Sequence, residues 1–388
     1  MARGLAGLLA SLTLAAAGCG SDGGPGAAMA LDGAADTSGG DGDASGPTDR
    51  GDGAVPPAAG VMAAGVRWFG RVDVGDPTHP RFSWSGTGFV ARFSGTSLTM
   101  QLQAGNTLIF KTVIDGAPQP PFTIPSGQGS YPLATGLAAG VHTVELYRQT
   151  EGPQGDSQLM ALTVGEGALI DPPPGPGRLI EVIGDSISCG YGELGSLSDT
   201  DCFSTESHWD TYGAIAARAL GAEVSTIAAS GRGIIRNYGG DTAGTLPLVY
   251  ALTLANDAAP IWDFHIQPNA VVINLGTNDI SNNKGDPGTA FRDTYLALLG
   301  TVRSHYPDAW IVCLIAPLLG SADAATIEAY IQSAVDMRKA AGDTRLEAFN
   351  QIAPQTSDKF ACAYHPNLAE NTLMADALAA ELRAKLGW

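Results

Sequence analysis

Positive charge is scarce in this chain. Its 388 residues carry 21 Lys and Arg against 39 Asp and Glu, a formal net charge of −18. That balance excludes a polyanionic partner such as nucleic acid, because phosphate binding needs a surplus of cations. A neutral or cationic partner is easier to accommodate. Charge of either sign is thin, at 15%, against 44% hydrophobic residues, which fits a soluble globular protein of two or three domains. The apolar stretch after Arg3 is too short for a comfortable membrane span. No convincing cluster of metal ligands occurs, so no metal or organic cofactor is expected.

What is present begins with an export signal. Arg3 is followed by "LAGLLASLTLAAAG" and then Cys19, a basic start, a short apolar core and small residues before a cut. "AAGC" resembles a bacterial lipobox, with Ala16 where Leu is commonest. Residues 1–19 therefore read as a lipoprotein-type signal segment with lipidation at Cys19. Residues 20–60 are Gly, Ala, Asp, Ser and Pro; they bury too little apolar surface to offset their ordering entropy and read as a flexible tether. The expected location is the cell envelope or outer surface, attached to the membrane through Cys19, with secretion or the periplasm as the alternative. Four further cysteines, Cys189, Cys202, Cys313 and Cys362, form an even set in an exported chain and suggest two disulfides. Three pairings are possible.

Between 61 and 170 the pattern has period two. "GFVARFSG", "SLTMQLQA" and "GVHTVELYRQT" alternate, and "LIFKTVIDG" ends in Asp115–Gly116, a hairpin signal. Short strands at this spacing predict an all-β sandwich, jelly-roll-like. Its aromatics Trp68, Phe69, Trp84, Phe89, Phe93 and Tyr147 could stack on sugars; core packing is the safer expectation for each. "DPPPGPG", 171–177, is a stiff linker. From 178 to 388 the period changes: "RLIEVIG", "AEVSTIAAS", "AVVINLG", "AWIVCLIAP" and "RLEAFN" alternate with helical segments. This predicts a three-layer α/β domain with a parallel sheet, flavodoxin-like, whose sites form at the carboxyl ends of strands.

Four features fall at such ends: Ser186 in "GDS", Gly231 in "AASGRG", Asn278 in "NLGTND" and His365 in "ACAYHPN". Each alone has an ordinary structural reading, as an N-cap, a turn glycine, an Asx-turn residue or a loop that starts a helix. Together, and in this order, they resemble the four consensus blocks of the SGNH (GDSL) hydrolase superfamily. "GDSISCGYG", "TE..H...YG" (Thr205, Glu206, His208, Tyr212, Gly213), "SGRG", "GTND" and "C.YHPN" resemble carbohydrate esterase family 2, which joins an N-terminal β-sandwich to an SGNH domain. There is no G-x-S-x-G, so the sharp nucleophile elbow of α/β-hydrolases is not expected. The resemblance implies Ser186 as nucleophile and His365 as base. It also implies an oxyanion hole built from the Ser186 N–H, the Gly231 N–H and the Asn278 amide. Asp185 and Asp279 are expected to anchor backbone turns. Tyr191 and Trp209 are candidates for the substrate cleft, with plain packing as the alternative.

The pattern breaks at the acid. Relatives carry Asp three or two residues before the histidine, where this chain has Cys362 and Ala363. Either a backbone carbonyl near Cys362 orients the imidazole, or Asp358 or Glu370 swings in. The carbonyl is favoured, because neither carboxylate has a well-defined path. The cysteines are expected to pair as Cys189–Cys202, flanking one loop near Ser186, and Cys313–Cys362, on the rim with the histidine. The resulting expectation is an exported, monomeric esterase that removes acetyl groups from polysaccharide or oligosaccharide. Its rivals are an esterase acting on lipid or aryl esters, and a glycan-binding surface protein with a decayed site.

Overall fold

The computed structural model describes residues 62–315, 317–350 and 355–388. The signal-like segment, Cys19 and the tether read from 20–60 lie outside them. Among the described residues no helix is long and apolar enough to cross a membrane.

The period-two segments form two antiparallel sheets. One is built on Val66–Phe69, Gly88–Gly95, Gly140–Arg148 and Leu108–Ile114, the other on Gly127–Ala134, Ser97–Ala104 and Ser157–Gly165. Alternation along Ser97–Ala104 sends Leu98, Met100, Leu102 and Ala104 inward, where they meet Phe89, Phe93, Phe110 and Trp68. Asp115 and Gly116 both have positive φ, 50° and 81°. This is the backbone of a two-residue hairpin turn, and it joins Leu108–Ile114 to Ala117–Pro118. The sandwich aromatics are packing residues: Trp68, Trp84, Phe89 and Phe93 are buried, and Tyr147 lies against Phe69 and Trp209.

The last sandwich strand ends at Ile170 and the first parallel strand starts at Leu179. Five parallel strands follow the order Glu223–Ala228, Leu179–Gly184, Ala270–Asn274, Trp310–Leu314, Leu346–Phe349. Their near-continuous burial reflects helices on both faces. Tyr212–Ala219 and Leu368–Leu386 cover one face, and Thr289–His305 and Ser321–Ala340 the other. The final helix begins at Leu368. Asn367 is its N-cap, with its side chain accepting from the N–H groups of Ala369 and Glu370.

The sandwich is joined to the α/β fold by polar and apolar contacts. Trp84 of the sandwich packs in the same cluster as Ile183, Ile227 and Ile273 of the parallel sheet. Arg67 pairs with Glu223 at 2.6 Å and Arg71 with Glu181 at 3.4 Å. Ser83 accepts from the Ala255 N–H at 2.8 Å. Gly152 passes so close to Ala255 that a Cβ there would collide with it.

Candidate active site

The strand Leu179–Gly184 ends against a one-turn helix, Ser186–Cys189, whose N-cap is Asp185. The Asp185 carboxylate accepts from the Ile187 N–H at 3.1 Å. Asp185 thus does the capping, and the Ser186 hydroxyl is left free for other work. His365 Nε2 lies 2.8 Å from Ser186 Oγ. On the far side of the ring, Nδ1 lies 3.2 Å from the carbonyl oxygen of Ala363. A carbonyl only accepts, so Nδ1 carries the proton and Nε2 is left to accept from the serine hydroxyl.

The turn that presents this carbonyl is unusual. Ala363 and Tyr364 both have positive φ, 51° and 64°, which curls the chain so that one of its own peptide oxygens faces the imidazole. The turn is held by the His365 N–H donating to Cys362 O at 3.1 Å and by the Ala361 N–H donating to His365 O at 2.7 Å. Burial pushes the His365 pKa below its ordinary 6.5, while the Ala363 and Cys362 carbonyls work the other way. Asp358 binds Thr356, and Glu370 pairs with Lys359 at 3.6 Å. Among the described residues no carboxylate bonds His365.

The second parallel strand leads to Gly231, whose φ of 78° is left-handed and favours glycine. The Asn278 amide donates to Arg232 O at 2.9 Å and to Asp185 Oδ2 at 3.2 Å. It therefore ties the Gly231 loop to the Ser186 turn. Asp279 anchors backbone as expected, but in another segment: it accepts from the N–H groups of Ile234, Ile235 and Arg236 at 2.8–3.2 Å. Burial, reinforced by Asp279, pushes Asp185 up to about 7. Among the described residues the N–H groups of Ser186 and Gly231 have no protein acceptor.

The structure brings Ser186, His365, Gly231 and Asn278 to one end of the sheet, with Tyr191 beside them, its ring edge-on to His365 at 5.0 Å. Trp209 is elsewhere. It packs between Tyr147 of the sandwich and the Arg218 guanidinium, 3.9 Å from its ring, in the seam rather than beside the histidine. The carbonyl expected near Cys362 to orient the ring is that of Ala363; Glu151, which reaches the site from the sandwich, has no signature in the sequence.

The expected disulfides are corrected. The bond is Cys202–Cys362, and Cys189 and Cys313 are free and buried. Cys313 lies within its strand, opposite Ile273 and Ala348, with its side chain in the core beneath the helices; burial holds its thiol up at about 12. Cys189 turns toward Glu151, 3.4 Å away. Glu151, Cys189 and Glu206 bring ligand-type atoms within 4.8 Å of one another. Burial raises all three groups, so they favour protons, and the buried Arg148 guanidinium already supplies positive charge to the carboxylates.

Residues 68–174 match the family described as Carbohydrate esterase 2 N-terminal, and residues 182–384 match the GDSL-like Lipase/Acylhydrolase family. A family two carbohydrate esterase from Clostridium thermocellum, solved in complex with cellohexaose, is 36% identical. It superposes with a TM-score of 0.80, covering 83% of this chain and 99% of that one. The chain belongs to carbohydrate esterase family 2. A cellulase/esterase of Acetivibrio thermocellus is 36% identical over 84% of this chain, which spans 40% of that relative's length. An acetylxylan esterase / glucomannan deacetylase of Cellvibrio japonicus is 28% identical over 83% of this chain and 89% of its own. The two-domain order of this chain is that of family 2.

Proposed function

We propose that this chain is a serine esterase that removes acetyl groups from carbohydrate. The observation that carries the proposal is the 2.8 Å contact between His365 Nε2 and Ser186 Oγ, with the ring tautomer set by a carbonyl. Ser186 Oγ attacks the ester carbonyl as His365 takes its proton. The N–H groups of Ser186 and Gly231, with the Asn278 amide, receive the oxyanion. The longer Asn278 bond, to Asp185, is the one the substrate oxygen takes over. His365 then protonates the leaving sugar oxygen, and water, activated by the same imidazole, cleaves the acetyl-serine.

The surroundings favour sugar over lipid. Beside Gly231 an open groove of about 260 Å³ is lined by Arg232, Asn237 and Asp241, whose polar groups suit hydroxyls, and by Pro153 and Tyr238, whose flat apolar surfaces suit a sugar face. Relatives named for acetylxylan and glucomannan support the same class. The protein is read as a monomer, exported and anchored through lipid on Cys19. Cys19→Ala should release it from the membrane fraction, and a wild type already soluble would count against the anchor.

Acetylated xylan, glucomannan and cello-oligosaccharides, with nitrophenyl acetate as control, test the function. Turnover of acetylated glycans should vanish in Ser186→Ala with the fold intact. Wild-type-like turnover in that variant, or hydrolysis confined to long-chain lipid esters, would refute it.

A further inference from the structure

The oxyanion loop is held from outside the α/β fold. The Ser230 N–H, one residue before Gly231, donates to Glu151 Oε2 at 2.5 Å. Glu151 belongs to the sandwich: it follows the strand Gly140–Arg148 and caps the short turn Gly152–Gln154. The same Oε2 faces Cys189 Sγ at 3.4 Å, and Cys189 closes the helix that begins with Ser186. One carboxyl oxygen thus touches both the element bearing the nucleophile and the loop bearing the second oxyanion donor.

Glu151 is itself fixed. Its N–H donates to Glu206 Oε1 at 3.1 Å, and its carbonyl accepts from Arg148 Nη2 at 3.0 Å. The side chain is buried. Beyond Gly231, Arg232 O is held by Asn278 and the Ile234 N–H by Asp279. Gly231 O itself accepts from the Tyr238 N–H at 2.8 Å and Ala229 O from the Arg232 N–H at 3.2 Å, so the loop is braced within the α/β fold as well, and the Ser230 bond to Glu151 ties it to the sandwich.

We infer that Glu151 is a positioning residue for ester hydrolysis, through which the sandwich sets the placement of the Gly231 N–H relative to Ser186. The inference rests on the proposed roles of Ser186 and Gly231. A small misplacement of a group that stabilises the transition state costs rate rather than ground-state binding. What Glu151 supplies is reach and an acceptor oxygen. An amide of the same length keeps both, since its oxygen can still accept from the Ser230 N–H. Aspartate keeps the carboxyl but is one methylene short of Ser230.

The test compares Glu151→Gln with Glu151→Asp in the full chain, using kcat per active site titrated with a serine-directed phosphonate, so that misfolded molecules do not count. Glu151→Asp should lose roughly 10- to 100-fold in kcat with KM within about threefold. Glu151→Gln should stay within about threefold of wild type in both. A Glu151→Asp enzyme within twofold of wild type in kcat, or a Glu151→Gln enzyme as slow as Glu151→Asp, would overturn the role. Activity surviving in Ser186→Ala would instead overturn the underlying reading of the site.

Discussion

His365 is oriented by a group that carries no full charge. A carboxylate in that place both fixes the tautomer and supports the imidazolium that forms during attack; the Ala363 carbonyl does the first and little of the second. No single carboxylate should then be essential to the base. Asp358→Asn and Glu370→Gln should each keep most of kcat, whereas His365→Ala should lose about a hundredfold to ten-thousandfold; steady-state kinetics on nitrophenyl acetate read both. The imidazole must be neutral to act, and burial without a carboxylate holds its pKa below 6.5. Activity should therefore fall only as pH drops through a value under 6.5, leaving more than half of maximal kcat/KM at pH 6.5. Ala363→Asp should move this acid limb upward, since a nearby negative charge favours the imidazolium.

At the scale of elements, the histidine loop is tied to the loop after Ser186 by Cys202–Cys362, across 160 residues of sequence, and by the Cys362 N–H donating to Gly192 O at 3.3 Å. Peptide mapping without reduction should recover Cys202 and Cys362 together and leave Cys189 and Cys313 alkylatable after unfolding. Replacing the pair by serine should cost about 2–4 kcal/mol of stability and lower kcat, because the turn that aims the Ala363 carbonyl loses its tether. The five parallel strands were legible because each is a largely apolar run bounded by glycine or polar residues, and the blocks of Ser186, Gly231 and Asn278 because each follows such a run; the block of His365 lies well beyond the last strand, which ends at Phe349. The cysteine pairing was not legible. Proximity along the chain pointed to Cys189–Cys202, but Cys189 closes a one-turn helix that turns its side chain toward the sandwich, while Cys313 alternates inward on its strand. For Trp209 the sequence left cleft and packing both open, and the structure packs it against Tyr147 and Arg218: a residue near a catalytic block in sequence can face the opposite way from a short turn.

Across the whole molecule, the seam between sandwich and α/β fold stores buried acids that no local pattern reveals. Glu206 is buried beside Glu151, with one oxygen accepting from the Glu151 N–H and the other without a hydrogen-bond partner among the described residues. Burial, then the neighbouring Glu151, raises its pKa well above 4.5. The folded state keeps a proton there that the unfolded chain sheds above 4.5. Its stabilising effect is thus complete below that pH and is lost as pH rises toward the folded value. Glu206→Gln carries no such proton, so its stability relative to wild type should improve as pH rises above 4.5 in denaturant titrations. A difference that stays flat with pH would count against the buried acid. The central claim, that His365 drives Ser186 through an acyl-enzyme, is tested most directly by quenching a reaction with nitrophenyl acetate and mapping the acetyl group by mass spectrometry. A single acetyl on Ser186 in the wild type, absent from Ser186→Ala and strongly reduced in His365→Ala, is the expected result; an acetyl on another residue, or undiminished labelling without His365, would contradict it.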